Sequence, residues 1–208
     1  MVRSGPETTR TELLYAAALE IAERGYSGAS FSSVAARLGL TKGAFAYHFP
    51  TKQALAVALM EEFDETFSNA VAHAREDFPS DDLRTALFAL REIEAKADAE
   101  PVVAAAFILM CDPQPPVEEI HDTFRRWIAT FIEFLQNAKA SGQVELSVPL
   151  EDAADFLVIS LLGLTNLSHR TFARSSAKDQ MHLRLLFSAL GVSNTEALIT
   201  EVLGVPQP

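Results

Sequence analysis

Between Ser30 and Lys52 the chain reads SFSSVAARLGLTKGAFAYHFPTK, and no other stretch limits the possible folds so tightly. Ser30 is a good N-cap for a helix that carries Phe31, Val34, Ala35 and Leu38 on one face. Gly39 can take the left-handed backbone that ends this helix, and Thr41 can cap a second one. An aromatic–proline pair, Phe49–Pro50, stops the second helix, because the residue before a proline avoids helical backbone. Two short helices joined by so few residues, one of them glycine, fit a helix-turn-helix. In that arrangement the second helix enters the major groove of DNA, so DNA reading is the first expectation.

A formal charge of -11 argues at first sight against a DNA partner, and its distribution removes the objection. Residues 1–52 hold six basic side chains (Arg3, Arg10, Arg24, Arg37, Lys42 and Lys52) against four acidic ones. Residues 53–208 hold eleven basic against twenty-four acidic side chains. Phosphate repels such a body, which should therefore stand away from DNA and suppress casual binding. With 208 residues, 49% of them hydrophobic, the chain can bury a sizeable core beside a small reader. The single Cys111 excludes an internal disulfide framework and a cysteine-rich zinc site. No basic-plus-apolar signal opens the chain and no apolar run is long enough to span a bilayer, so a cytoplasmic setting and no membrane partner are expected.

Apolar residues recur at helical spacing nearly throughout, with caps and breakers between them, and no convincing strand emerges. Thr9 and Glu12 form a capping box for a first helix whose buried stripe is Leu14, Ala17, Ala18 and Ile21, ended by Gly25. Thr51 caps a long helix to Arg75, and Pro79–Ser80–Asp81–Asp82 starts another. Pro101 opens a short apolar helix, and a long one spans Val117 to Ala140. Pro149–Leu150–Glu151–Asp152 starts a further long helix, Ala177 to Leu190 forms the next, and Ser193 with Glu196 boxes a last one. The expected fold is all-α, about ten helices. Residues 1–52 are expected to form a DNA-binding domain and residues 53–208 a second helical domain.

In register over residues 9–55, the chain resembles the TetR family of transcriptional regulators. The matching residues are Thr9–Arg10, Ala16–Ala17, Gly25–Tyr26, Ser30, Val34–Ala35, Leu38–Gly39–Leu40, Thr41–Lys42–Gly43, His48–Phe49, Lys52 and Leu55. The resemblance implies an all-helical homodimer with three N-terminal DNA-binding helices and a C-terminal domain for ligand binding and dimerisation. Within the family, LTKGAFAYHFPTKQALA and the landmarks Gly163, His169–Arg170, Leu183 and Leu190–Gly191 resemble the γ-butyrolactone autoregulator receptors. Trp127, the only tryptophan, stands where those receptors place a pocket tryptophan. One departure is clear: the family's usual Leu-Tyr pair is Phe45–Ala46 here, followed by Tyr47, so a phosphate contact commonly made by that tyrosine is lost or moved to Tyr47.

Lys42 can reach a phosphate or a guanine edge, Ala44 a thymine methyl, and Gly43 permits close approach of backbone to DNA or to the preceding helix. Tyr47 and His48 can donate to phosphates, a role favoured for His48 over plain packing. Thr41, Ser32 and Lys52 are phosphate candidates at helix starts, and Arg10 approaches from the first helix. Arg37 reads as a solvated charge. Two readers on a two-fold axis would recognise a pseudo-palindromic double-stranded operator with half-sites ~34 Å apart.

Apolar side chains surround the segment holding Phe156, Leu157, Ile159, Leu161, Leu162 and Leu164, more than one internal face requires. Phe156, Ile159 and Leu162, with Met181, Leu185 and Leu186, are the expected homodimer interface, against a reading as ordinary core. Phe124, Trp127 and Phe131 recur at helical spacing, with Phe88, Phe107, Met110 and Cys111 expected to face them. Spacing alone favours plain core. The resemblance instead implies a pocket for a small hydrophobic effector, a γ-butyrolactone or an antibiotic-like compound, with Thr165 and Ser168 as orienting polar groups.

Two rival readings come from other classes. Glu118-x-x-His121 and Asp179-x-x-His182 resemble the carboxylate-x-x-His pairs of helical di-metal enzymes, which need two further inward carboxylates. No catalytic serine, cysteine or phosphate-loop motif accompanies them, so neither an enzyme nor a cofactor is expected. The other rival is a helical small-molecule or partner-binding protein that has lost operator binding, as Ala46 and the low positive charge would allow.

Overall fold

The computed structural model describes residues 10–170 and 176–203, with side chains for all of these but 165–170 and 176–179. Among them ten α-helices follow one another: α1 (Arg10–Gly28), α2 (Phe31–Arg37), α3 (Lys42–His48), α4 (Lys52–Asp77), α5 (Asp82–Ala99), α6 (Pro101–Met110), α7 (Glu119–Ala140), α8 (Leu150–Arg170), α9 (Ser176–Ala189) and α10 (Thr195–Leu203). No strand occurs among the described residues; Val144 and Val192 form one isolated bridge.

The local signals act as the sequence predicts. The Ser30 hydroxyl accepts from the Ser33 N–H at 3.1 Å, and the Ser33 hydroxyl accepts from the Ser30 N–H at 3.1 Å, a reciprocal capping box. Gly39 has φ 66. The Thr41 and Thr51 hydroxyls accept from Ala44 and Ala54 N–H groups at 3.2 and 3.0 Å. Asp81 caps α5 through the Arg84 N–H at 3.0 Å. Gly25 breaks α1 with φ 72 and ψ 167, a conformation essentially closed to other residues. Thr9 lies outside the described residues.

Two compact units divide the chain, residues 1–66 with 96–121 and residues 67–95 with 122–208. In the first, Leu14, Ala17, Ala18 and Ile21 of α1 are buried as the stripe requires. The apolar helix α6 lies along α1, and the Phe63 and Phe107 rings meet edge to face at 5.3 Å. A helix apolar on every side must be buried, and the PVVAAAFILM sequence of α6 obeys. In the second unit the core is built by Leu87, Phe131, Phe134, Leu157, Phe187 and Ile199.

One expected cap is absent. Ser193 does not box α10: its hydroxyl donates to the Gln143 carbonyl at 3.2 Å, its N–H donates to the same carbonyl at 3.1 Å, and Glu196 pairs with Arg184 at 2.7 Å. Pairing between the α7–α8 and α9–α10 loops has captured the serine. The Glu145 N–H completes that pairing on the Gly191 carbonyl at 3.0 Å. Gly191 permits it, with φ 81 and a position where a Cβ would stand 2.2 Å from the Glu145 carbonyl oxygen.

Gly191→Ala should therefore lower the unfolding free energy by about 3 kcal/mol, since strain and a backbone clash act together. Gly142→Ala, at φ 75 with nothing within 4 Å, should cost only ~1 kcal/mol. Urea midpoints of the two variants measure the difference.

Candidate nucleic-acid interface

The recognition helix α3 turns one side chain in and most of the others out. Phe45 is fully buried, between Phe31 at 4.8 Å and Phe49 at 5.6 Å between ring centroids. Lys42, Gly43 and Ala44 are exposed, and Tyr47 is 85% exposed. Ala46 is half-buried, so the phenol of this helix that reaches outward belongs to Tyr47. His48 is half-buried, its ring edge-on to Tyr47 at 5.3 Å. Thr41 accepts the cap bond and keeps its hydroxyl proton for another acceptor. Ser32 is exposed in the first turn of α2. Lys42, Gly43, Ala44 and Tyr47 thus form one open row, flanked by Thr41, Ser32 and His48.

The remaining basic candidates are occupied within the chain. Arg10 stands 5.4 Å from the centroid of the buried Phe49 ring and 3.6 Å from the exposed Glu61 carboxylate. Lys52 donates to the Ser27 carbonyl at 3.2 Å and lies 4.5 Å over the Tyr26 ring. Burial holds its ammonium below the ordinary lysine range. Lys52 ties the end of α1 to the start of α4.

Arg37 is not a solvated charge. Its Nε donates to Glu20 at 2.7 Å and its second amino group to Glu23. Glu20 is 1% exposed and also has the Arg24 Nε at 3.0 Å. Burial alone would raise the Glu20 carboxyl; hydrogen bonds from Ser33 and Arg37 and the charges of Arg24 and Arg37 outweigh it and hold the group below 4.5. Glu20 escaped sequence reasoning, although a signal existed: it falls on the same stripe as Leu13, Ala16 and Ala17. A charge on a buried stripe requires a partner of opposite charge.

Elsewhere, Trp127 and Phe131 are buried in the second unit, where Phe67 meets them at 4.9 and 6.4 Å. Phe67 is a further residue that sequence reasoning missed, though its i,i+4 spacing from Phe63 could have revealed it. The expected pocket residues are drawn from both units. Phe107, Met110 and the half-buried Cys111 belong to the first unit. Half-buried Phe124 is in the second, and Phe88 there packs on His73 and Phe78 at 5.5 and 5.6 Å. The Thr165 and Ser168 side chains lie outside those described. Of the expected interface residues, Phe156, Ile159, Met181 and Leu185 are exposed, Ile159 at 67% and Leu185 at 62%. Leu162 and Leu186 are buried in the chain's own core instead, on the inward sides of α8 and α9.

Glu118 and His121 are exposed and the Asp179 side chain lies outside those described; among the described residues no three metal-ligating side chains cluster. Among the same residues no helix is long and apolar enough to cross a membrane.

Comparison with known proteins agrees with this geometry. Residues 13–59 match the family model of bacterial regulatory proteins of the tetR family. A solved structure concerned with the molecular basis for control of antibiotic production by bacterial hormones is 30% identical, covers 89% of this chain and 99% of its own, and superposes with a TM-score of 0.71. The HTH-type transcriptional repressor DhaR of Mycobacterium sp. (strain GP1) is 24% identical, over 86% of this chain and 90% of that protein. The A-factor receptor protein of Streptomyces griseus is 26% identical over 83% of this chain, which spans 59% of that receptor's length. With its helix-turn-helix reader and helical remainder, this chain belongs to the TetR family. It is a DNA-binding transcriptional regulator.

Because the folded Glu20 carboxyl lies below its unfolded value, its contribution to stability is complete above the unfolded pKa and is lost as pH falls through the folded one. Wild type should exceed Glu20→Gln in urea midpoint at pH 7, and the gap should close steadily below about pH 4.

Proposed function

We propose that this protein is a homodimeric repressor that holds a pseudo-palindromic operator and leaves it when a small hydrophobic effector binds. The observation that carries the reading is the open row of α3: Lys42, Gly43, Ala44 and Tyr47 stand exposed on a helix fixed from behind by Phe45. In this reading Lys42 meets a phosphate or guanine edge, Ala44 a thymine methyl, and Tyr47 supplies the phosphate contact that Ala46 cannot make. Thr41, Ser32, His48 and Arg10 add backbone contacts. Residues 1–52 are the reading module, and the acidic remainder keeps the rest of the chain off DNA. The regulator is not an enzyme and works in the cytoplasm.

Support for the dimer comes from the exposed Phe156, Ile159, Met181 and Leu185 on α8 and α9. Support for the effector comes from the similarity to a protein named as a receptor and from the aromatic cluster at Trp127. A lactone with an alkyl tail suits such an apolar lining. The effector releases DNA only by its difference in affinity for the two arrangements of the body.

Fluorescence anisotropy with the chain's own upstream intergenic DNA and a scrambled control, at two salt concentrations, tests operator reading. Tight binding to the first alone is expected, with Lys42→Ala weakening it by about 1–3 kcal/mol. Equal, weak, salt-sensitive binding to both duplexes would instead favour a ligand-binding protein that has lost its operator. Ile159→Arg should convert the dimer to monomer in light scattering and abolish tight operator binding while leaving the helical circular dichroism intact.

A further inference from the structure

Among its described residues the reader has one buried carboxylate, Glu20, which packs against the short helix α2. α2 has seven residues and α3 seven, each far below the length at which a helix holds itself in water. Each is pinned mainly at one place: α2 fully buries Val34 and Ala35, and α3 buries Phe45. Two small contacts leave a short helix free to pivot about them. What prevents pivoting must grip α2 away from them.

Glu20 does so. Arg37, in the last turn of α2, donates its Nε to the Glu20 carboxylate at 2.7 Å. Ser33, in the first turn of α2 and a member of its capping box, helps hold the pKa of the same carboxyl down, while its hydroxyl donates to the Ser30 carbonyl at 2.8 Å. Arg37 also donates to Glu23, so two carboxylates of α1 hold the last turn of α2. From α2 the constraint passes to α3 through the Phe31–Phe45 contact at 4.8 Å. The Arg24 Nε at 3.0 Å supplies a second cation. A neutral apolar residue of similar size could fill this space without fixing direction, because a charged hydrogen bond has geometric demands that dispersion lacks.

We propose that Glu20 is a positioning residue of the DNA reader, setting the direction of α2 and thereby presenting the outer row of α3 to base edges in the correct register. The inference rests on operator reading as the function and adds the residue that sets its specificity. Glu20 itself touches no DNA. Its loss should leave phosphate attraction intact and remove discrimination, since base contacts specify while phosphate contacts position.

The test compares wild type, Glu20→Gln and Arg37→Gln in anisotropy titrations, far below their melting temperatures, against upstream intergenic DNA and its scrambled control. Light scattering and circular dichroism accompany each variant. Glu20→Gln should bind the intergenic duplex at least tenfold more weakly with unchanged or slightly tighter binding to the scrambled duplex. Arg37→Gln should lose several-fold on the first duplex, and the double variant should lose no more than Glu20→Gln alone, because the two residues act as one unit. Folded variants that discriminate as well as wild type, with only a lower melting temperature, would overturn the proposal. Tighter binding to both duplexes would also overturn it, assigning Glu20 a merely repulsive charge. Should Glu20→Gln fail to fold, Arg37→Gln decides by the same criterion. Absence of discrimination in wild type would be a failure of the operator reading itself, distinct from a failure of this inference.

Discussion

The aromatic stack of Phe31, Phe45 and Phe49 is the interaction on which the reader depends. Its rings lie 4.8 and 5.6 Å apart in succession and join α2, α3 and the residue that ends α3. Fully burying one such ring stabilises by roughly 1.5–3 kcal/mol, and aromatic pairs add about 0.5–1.5 kcal/mol beyond area. A seven-residue helix brings nothing comparable from its own backbone, so α3 is a helix because Phe45 is buried, not the reverse. Once Phe45 points inward, helical geometry turns Gly43, Ala44 and Tyr47 to other faces, and Lys42 stands exposed at the helix start. The exposed row is a consequence of the core.

Electrostatics then separates the roles of the two parts of the sequence. Residues 1–52 have more basic than acidic side chains, and the acids among them include Glu20 and Glu23, which are consumed by Arg24 and Arg37. Pairing offsets the charge of these two arginines within the chain, and Lys42 is an exposed base on α3 itself. A reader with so little free positive charge gains little from unspecific attraction, whose strength follows the number of phosphates neutralised. Specific contacts must supply a larger share of its affinity.

Most of the fold was legible because it is written in local chemistry. Ser30, Gly39, Thr41 and Thr51 act at the positions their side chains or backbone freedom suggest, and Pro101 opens α6. Signals of this kind need only neighbours within four residues. Features that depend on distant partners were not legible. Ser193 has the side chain of a cap, yet a carbonyl fifty residues earlier holds it. Arg37 looks solvated until α1 brings Glu20 beside it, and Lys52 looks free until Ser27 and Tyr26 engage it. For the candidate interface, periodicity identified the apolar residues of α8 and α9 but could not tell which face turns inward. Leu162 and Leu186 went to the core and Ile159 and Leu185 to the surface.

That division has an energetic consequence for the proposed dimer. Four large apolar side chains, Phe156, Ile159, Met181 and Leu185, remain about half exposed or more in the single chain. Covering them would recover roughly 1 kcal/mol or more apiece per chain at about 25 cal/mol per Å². Association opposes this with at least ~4 kcal/mol of lost freedom, so the four residues from both chains can sustain a dimer only if the patch pairs with itself. An isologous two-fold contact satisfies that condition, because each chain then contributes the same patch to one interface. The same two-fold axis relates the two α3 helices, which makes the second reader's encounter with DNA intramolecular once the first is bound. A reader with little net charge thereby gains tight binding through geometry instead of through additional cations. Dimer contact and operator symmetry are, on this reasoning, one constraint imposed on the chain at two places.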